Sequence, residues 1–212
     1  MPTRPFLPLC LIALAAAAPL HAESWKLDPL HTQVRFGVDH LGFSRTMGLL
    51  SIAQGSLQFD PEHWDQASLD VTIELGSLWL GDAKWQDTVK SWQFLQLKKW
   101  PQARYVSRSV EKTDAQNGVI HGDLTLHGKT LPVDVAFHLN KIGNDAYTFK
   151  HTAGFAATAS FKRSAFGMNK LLSAVGDEIT LDISVEAQRG TATPTQAAPT
   201  PSDNEDHDDS AQ

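Results

Sequence analysis

The feature that most constrains this chain is a period of two. In "EITLDISVEA" (178–187), Ile179, Leu181, Ile183, Val185 and Ala187 alternate with Thr180, Asp182, Ser184 and Glu186. A strand segregates residues in this way because its successive side chains point to opposite faces; a helix does not. The same alternation gathers Leu131, Val133, Val135, Phe137 and Leu139 in "LPVDVAFHL", Leu69, Val71, Ile73 and Leu75 in "SLDVTIEL", and Val34, Phe36 and Val38 in "QVRFGVD". "ARYVSRSVEK", "GVIHGDLTL" and "YTFKHTAGFAATASF" read as further strands, with turn signals between them such as "FDPEHW", "AQNG", "HGKT" and "KIGNDA". One-sided alternation marks sheet with one face buried and one wet, which is the antiparallel case. Roughly eight to ten such strands in one domain predict an all-β fold, a sandwich or an antiparallel barrel. The interior of a barrel of about eight strands either fills with side chains or holds one small ligand, and alternation alone does not separate these outcomes.

One segment breaks the period. In "GDAKWQDTVKSWQFLQLKKWP", Trp85, Val89, Trp92 and Leu95 recur at helical spacing. Asp82 stands where a cap belongs and Pro101 follows the stop, so a short amphipathic helix is expected around 82–92, with its stripe laid on the barrel. Five of the six tryptophans fall within 64–100. Such a stripe is more often packing than binding, yet an aromatic helix over a barrel mouth would also make a lid for an apolar guest.

The ends have other compositions. Residues 1–22 carry Arg4, the apolar run "FLPLCLIALAAAA" and a small residue at Ala22, the pattern of a cleavable secretory leader. The run falls short of the roughly 20 apolar residues of a membrane span. Export to the periplasm is therefore expected. Cys10 is the only cysteine, so removal of the leader leaves a chain with no disulfide and no thiolate chemistry. Residues 23–189 are long enough to be stabilised by a core alone. Residues 190–212, rich in Pro, Thr and Ala and closing on an acidic cluster, are expected to be disordered. That cluster supplies most of the formal net charge of -6. The chain has no basic stripe, so nucleic acid is not an expected partner.

"HGDLTLHGKTLPVDV" (121–135) holds the two histidines that most invite a chemical reading, His121 and His127. Six residues of strand span about 20 Å, whereas one metal ion needs its ligands about 2 Å away. The pair can neither chelate one ion nor share a proton without a bend. "HGKT" reads instead as a tight turn with Gly128 as its permissive residue. Leu124, Leu126, Val133 and Val135 then belong to the wall of the barrel. The standard nucleophile, metalloprotease, phosphate and dinucleotide motifs are missing from the sequence, so no cofactor is expected. His31, after the turn starter Asp28-Pro29, is either bonded to nearby backbone or a polar group at one end of a cavity. Arg163, directly after an apolar strand, is either half of a surface ion pair or a second polar group of that kind.

Several blocks, in this order, resemble the YceI-like family of exported lipocalin-like proteins: "WKLDPLHTQVRFGVDHLGFSRTMG", "GSLQFDPE", "VKSWQFLQLKKWPQARYVS", "GVIHGDLTLHGKTLPVDV", "RSAFGMN" and "VGDEITLDISVEA". The family pattern has an Arg-Asp and a His on the helix where this chain has Trp85, Gln86 and Thr88, so the resemblance carries over no polar contact from the helix. It implies an extended lipocalin-like barrel around a long apolar pore that takes a polyisoprenoid or quinone-like lipid. On that implication the contacts fall to Phe36, Phe43, Phe59, Phe94, Phe137 and Phe155, with Trp85, Val89 and Trp92 from the helix and Leu124, Leu126, Val133 and Val135 from the wall. His31 and Arg163 stand for the polar end. The main functional reading is a lipid carrier or sequestering protein without enzymatic activity. The alternative is a hydrolase or isomerase acting on a similar lipid in the same cavity. An exposed edge strand would also allow a homodimer, although no feature requires one.

Overall fold

The computed structural model describes residues 22–190; residues 1–21, which hold all but the last residue of the expected leader, and residues 191–212 of the expected disordered tail lie outside the described residues. The strands are β1 (Ser24–Leu27), β2 (Gln33–His40), β3 (Ser44–Gln58), β4 (Ser68–Trp79) and β5 (Gln102–Lys112). They continue with β6 (Asn117–Leu126), β7 (Lys129–Asn144), β8 (His151–Lys162) and β9 (Val175–Arg189). A 3-10 turn, Trp64–Gln66, and one helix, α1 (Ala83–Lys90), interrupt them.

All neighbours are antiparallel, and β2, β9, β8, β7, β6, β5, β4 and β3 follow one another round a ring that closes between β2 and β3. The short β1 does not add a ninth position. It pairs with 56–58 of β3 and 187–189 of β9, while β2 pairs with 44–51 and 175–184 of the same two strands. β1 and β2 are thus one strand position broken at 28–32, and the barrel is closed and eight-stranded. Closure pairs every position on both sides, which removes the edge strand that would have joined two copies.

Chain order fixes the two ends. The connections 41–43, 80–101, 127–128 and 163–174 lie at one end; 59–67, 113–116 and 145–150 lie at the other. The alternation read from the sequence now faces inward: Val133, Val135 and Phe137 of β7 are buried, as are Leu124 and Leu126 of β6 and Ala153, Phe155 and Ala157 of β8. Small residues give the rings room. A Cβ on Gly48 would stand 2.4 Å from the Phe36 ring, and one on Gly122 would stand 2.5 Å from the Tyr105 ring. The 127–128 turn is a two-residue hairpin with φ of 52° at His127 and 76° at Gly128, the type I′ signature, beneath the Trp100 ring.

Candidate functional site

The barrel is hollow along much of its length. The larger section, about 470 Å³, lies toward the end that carries α1, and a second section of about 150 Å³ lies deeper. Val34, Ile73, Leu124 and Leu181 line both, so the two sections form one bore. The size falls within the usual range of roughly 300–1,000 Å³ for a ligand pocket. The walls are almost wholly apolar because each strand delivers its inward set.

Five of the expected phenylalanines reach the bore. Phe36 and Phe94 line the outer section; Phe59, Phe137 and Phe155 line the inner one. Leu126, Trp85 and Val89 face the outer section, and Val133 and Val135 the inner. Asp82 caps α1 as expected, accepting from the Trp85 N–H at 3.0 Å. Three expectations fail. Phe43 sits at the tip of the β2–β3 turn and is 89 % exposed, because the left-handed Leu41 and Gly42 aim the turn outward. Trp92 is 65 % exposed, because α1 stops at Lys90 and the helical stripe has no further turn to carry it. His31 lies outside the barrel in the break between β1 and β2, where its Nδ1 meets the Asp28 carboxylate at 2.9 Å. It cannot serve the polar end of the bore.

Arg163 does line the bore and is only 2 % exposed, so it is not a surface ion pair. It opens the 163–174 connection and its side chain is held by backbone. Nε donates to Gly176 O at 2.9 Å, Nη2 donates to Val175 O at 2.7 Å, and Nη1 donates to Met168 O. The Phe94 ring lies 5.4 Å from the guanidinium carbon, within cation–π range. Burial lowers the Arg163 pKa, while the nearby Asp177 opposes that shift. Burial would raise the Asp177 carboxyl, but hydrogen bonds from Ser164 N and Oγ, with the Arg163 charge, hold it below its usual value. A guanidinium has five N–H donors, and three backbone carbonyls use only three of them.

The inner end of the bore is stopped by aromatic rings. Trp64 of the 3-10 turn stacks on Phe137 at 5.3 Å, and Phe59 meets Trp64 and Phe155 edge-on at 5.5 and 5.4 Å. Trp25 locks this stopper by donating from Nε1 to Phe59 O at 2.9 Å. The role of Trp64 was missed in the sequence because it stands in a turn with no period to read.

His121 and His127 are separate, as the strand arithmetic requires. His121 is on the outer face, with Nδ1 2.9 Å from Asp134 and Nε2 3.4 Å from Glu111. His127 Nδ1 donates to Phe166 O at 3.0 Å and helps seat the 163–174 connection. Leu78 and Leu80 also line the bore unforeseen, because β4 shifts register against β3 between Glu74 and Trp79. Met168 is another, and it belongs to "RSAFGMN", which pattern alone reads as a loop.

A closed eight-stranded barrel around an apolar bore, stopped at one end and crossed by a helix at the other, defines a lipocalin-like container. The chain belongs to the YceI-like domain family, whose model matches residues 25–187. A UPF0312 protein of Pseudomonas putida is 34% identical over 176 residues, which cover 82% of this chain and 91% of that protein. Among solved structures, BcnA of Burkholderia cenocepacia aligns with a TM-score of 0.68 at 25% identity, covering 76% of this chain and 98% of that one. A polyisoprenoid binding domain from Saccharophagus degradans, implicated in plant cell wall breakdown, aligns with a TM-score of 0.59 at 11% identity, covering 79% of this chain and 99% of that one, a likeness of fold alone.

Proposed function

We propose that this protein is a periplasmic lipid-binding protein that sequesters or carries a polyisoprenoid or quinone-like lipid in its bore. The single observation that carries this reading is the continuous apolar bore itself, stopped inside by Trp64 and Phe59 and lined toward α1 by Arg163. The leader-like composition of residues 1–22 supports export. The shared fold of a domain described as polyisoprenoid binding supports the choice of lipid.

The energetics favour a long chain over a short one. Burial contributes about 0.8 kcal/mol per carbon group, or roughly 4 kcal/mol for each five-carbon isoprene unit. Association costs about 4–15 kcal/mol in lost freedom. Roughly one to four units offset that cost, and net binding begins beyond them.

The test is mass spectrometry of organic extracts from the purified protein, together with titration by polyprenyl compounds in detergent solution. A co-purifying or readily taken up polyprenyl lipid is the expected result. Repeated absence of lipid together with no uptake overturns the reading. Leu124→Trp, placed where the two bore sections meet, is expected to cut uptake roughly tenfold while the protein still folds.

A further inference from the structure

The two ends of the barrel differ sharply in charge and in exposed apolar surface. The four connections at the α1 end hold five lysines (Lys84, Lys90, Lys98, Lys99 and Lys170) and the buried Arg163 against Asp82 and Asp87. The three at the stoppered end hold Lys150 alone against Asp60, Glu62, Asp65, Asp114 and Asp145. Around the α1 end stand Leu41, Phe43, Trp79, Trp85, Trp92 and Leu171, each at least half exposed. Apart from Trp79, the last residue of β4, they come from three of the four mouth connections, and these are tied together. The Leu41 N–H donates to Ala174 O at 2.9 Å, Trp85 faces His40 at 6.2 Å, and Lys170 Nζ lies 5.5 Å over the Trp92 ring. Trp85 and Leu171 also line the outer bore, so the exposed rim and the inner wall are one continuous apolar surface.

We propose that this rim is a membrane-docking surface that seats the mouth on an anionic phospholipid bilayer. Tryptophan favours the membrane–water boundary because its ring is apolar and its N–H is polar. Lysines beside the rings meet anionic head groups, while the acidic opposite end is repelled, so the field of the protein orients the mouth toward the membrane. Phe43 and Trp92, which the bore does not use, have their place here: they enter the head-group layer. A lipid chain then passes from bilayer to bore along apolar surface without crossing water. This purpose rests on the container reading; the docking itself does not.

Flotation of the purified protein with vesicles of phosphatidylethanolamine and phosphatidylglycerol tests it. Binding is expected, with roughly tenfold loss in the double variant Phe43→Ser/Trp92→Ser and loss of binding in about 1 M salt. The double variant Tyr147→Ser/Phe149→Ser removes two exposed aromatics at the other end and is expected to bind as the parent does. Absence of vesicle binding overturns the proposal, as does equal loss in both double variants. A concentration-dependent dimer that Phe43→Ser/Trp92→Ser abolishes also overturns it, by giving the rim to a second copy of the chain. Uptake of a polyprenyl compound from detergent separates the two readings. Phe43→Ser/Trp92→Ser retains it, and a parent protein without it sinks the container reading while leaving the vesicle result standing.

Discussion

At one end of the barrel Trp64, 3 % exposed, fills the opening from a 3-10 turn. At the other end the eight residues of α1 cross the opening and none of them is buried. The first element is core and the second is cover. The stopper has lost its side chain to the interior, so removing it costs packing on several rings at once. Toward the bore the cover turns a half-exposed Trp85, an exposed Thr88 and the partly buried Val89. Low burial is what gives a segment a low free energy of local opening. The guest proposed above is therefore expected to enter past α1, with the aromatic end as the closed bottom of the bore.

The strongest way to break this contrast is Trp64→Ala. It deletes a ring stacked on Phe137 and packed on Phe59, with its Nε1 donating to Pro61 O at 2.8 Å. Truncations of this kind cost about 3–5 kcal/mol. Urea unfolding should show a lowered midpoint, and a midpoint unchanged within error would mean that the inner end is not a packed stopper. Arg163→Met comes next. It strands the carbonyls of Met168, Val175 and Gly176, each an acceptor worth about 1–3 kcal/mol if left unpaired. Removing the buried charge returns part of its desolvation cost, so a net loss of about 2 kcal/mol is expected. Amide exchange should quicken over 163–176 before it does in the strands. Trp85→Ala is expected to cost under about 1 kcal/mol, since half of the ring is already in water. A cost equal to that of Trp64→Ala would erase the distinction between core and cover.

How far the sequence foretold these ends depended on the regularity of the chain. The wall was legible: Val133, Val135, Phe137, Leu124 and Leu126 alternate without interruption, and all five line the bore. Phe94 and Phe59 were reached through the family resemblance, since neither lies in a periodic run. Where one element ends, the pattern lost its hold. Trp92 continued the helical spacing of Trp85 and Val89 on paper, but Ser91 is already extended, at ψ 179°, and the stripe breaks there. Phe43 lay one residue outside a strand, and two left-handed residues decided its direction. Arg163 was read as either surface or site, and only its burial between backbone carbonyls and Phe94 chose between them. The shift of β4 against β3 that brings Leu78 and Leu80 inward has no local signature in "ELGSLWL" beyond Gly76.

The smallest expected effect concerns pH, and two of the three histidines that carboxylates raise, His31 and His63, lie in irregular segments, whereas His121 lies on the outer sheet face. Asp28–His31 and Asp60–His63 are paired at 2.9 and 3.0 Å, in the break before β2 and in the turn that carries Trp64. In each pair the carboxylate hydrogen bond raises the histidine pKa above its usual 6.5, and the aspartate is lowered in return. A histidine raised by folding stabilises the native state fully below its unfolded pKa of about 6.5. That contribution fades as pH climbs through the raised folded value. Both histidines are exposed to solvent, so the gain is modest and weakens with salt. Raising the pH from about 5.5 to 8.5 should therefore quicken amide exchange in 28–32 and 60–66, and Asp60→Asn should abolish the change in the second segment alone. An equal quickening over 163–174, beyond the general rise of intrinsic exchange with pH, would mean that these pairs do not hold their own turns but act on the barrel as a whole.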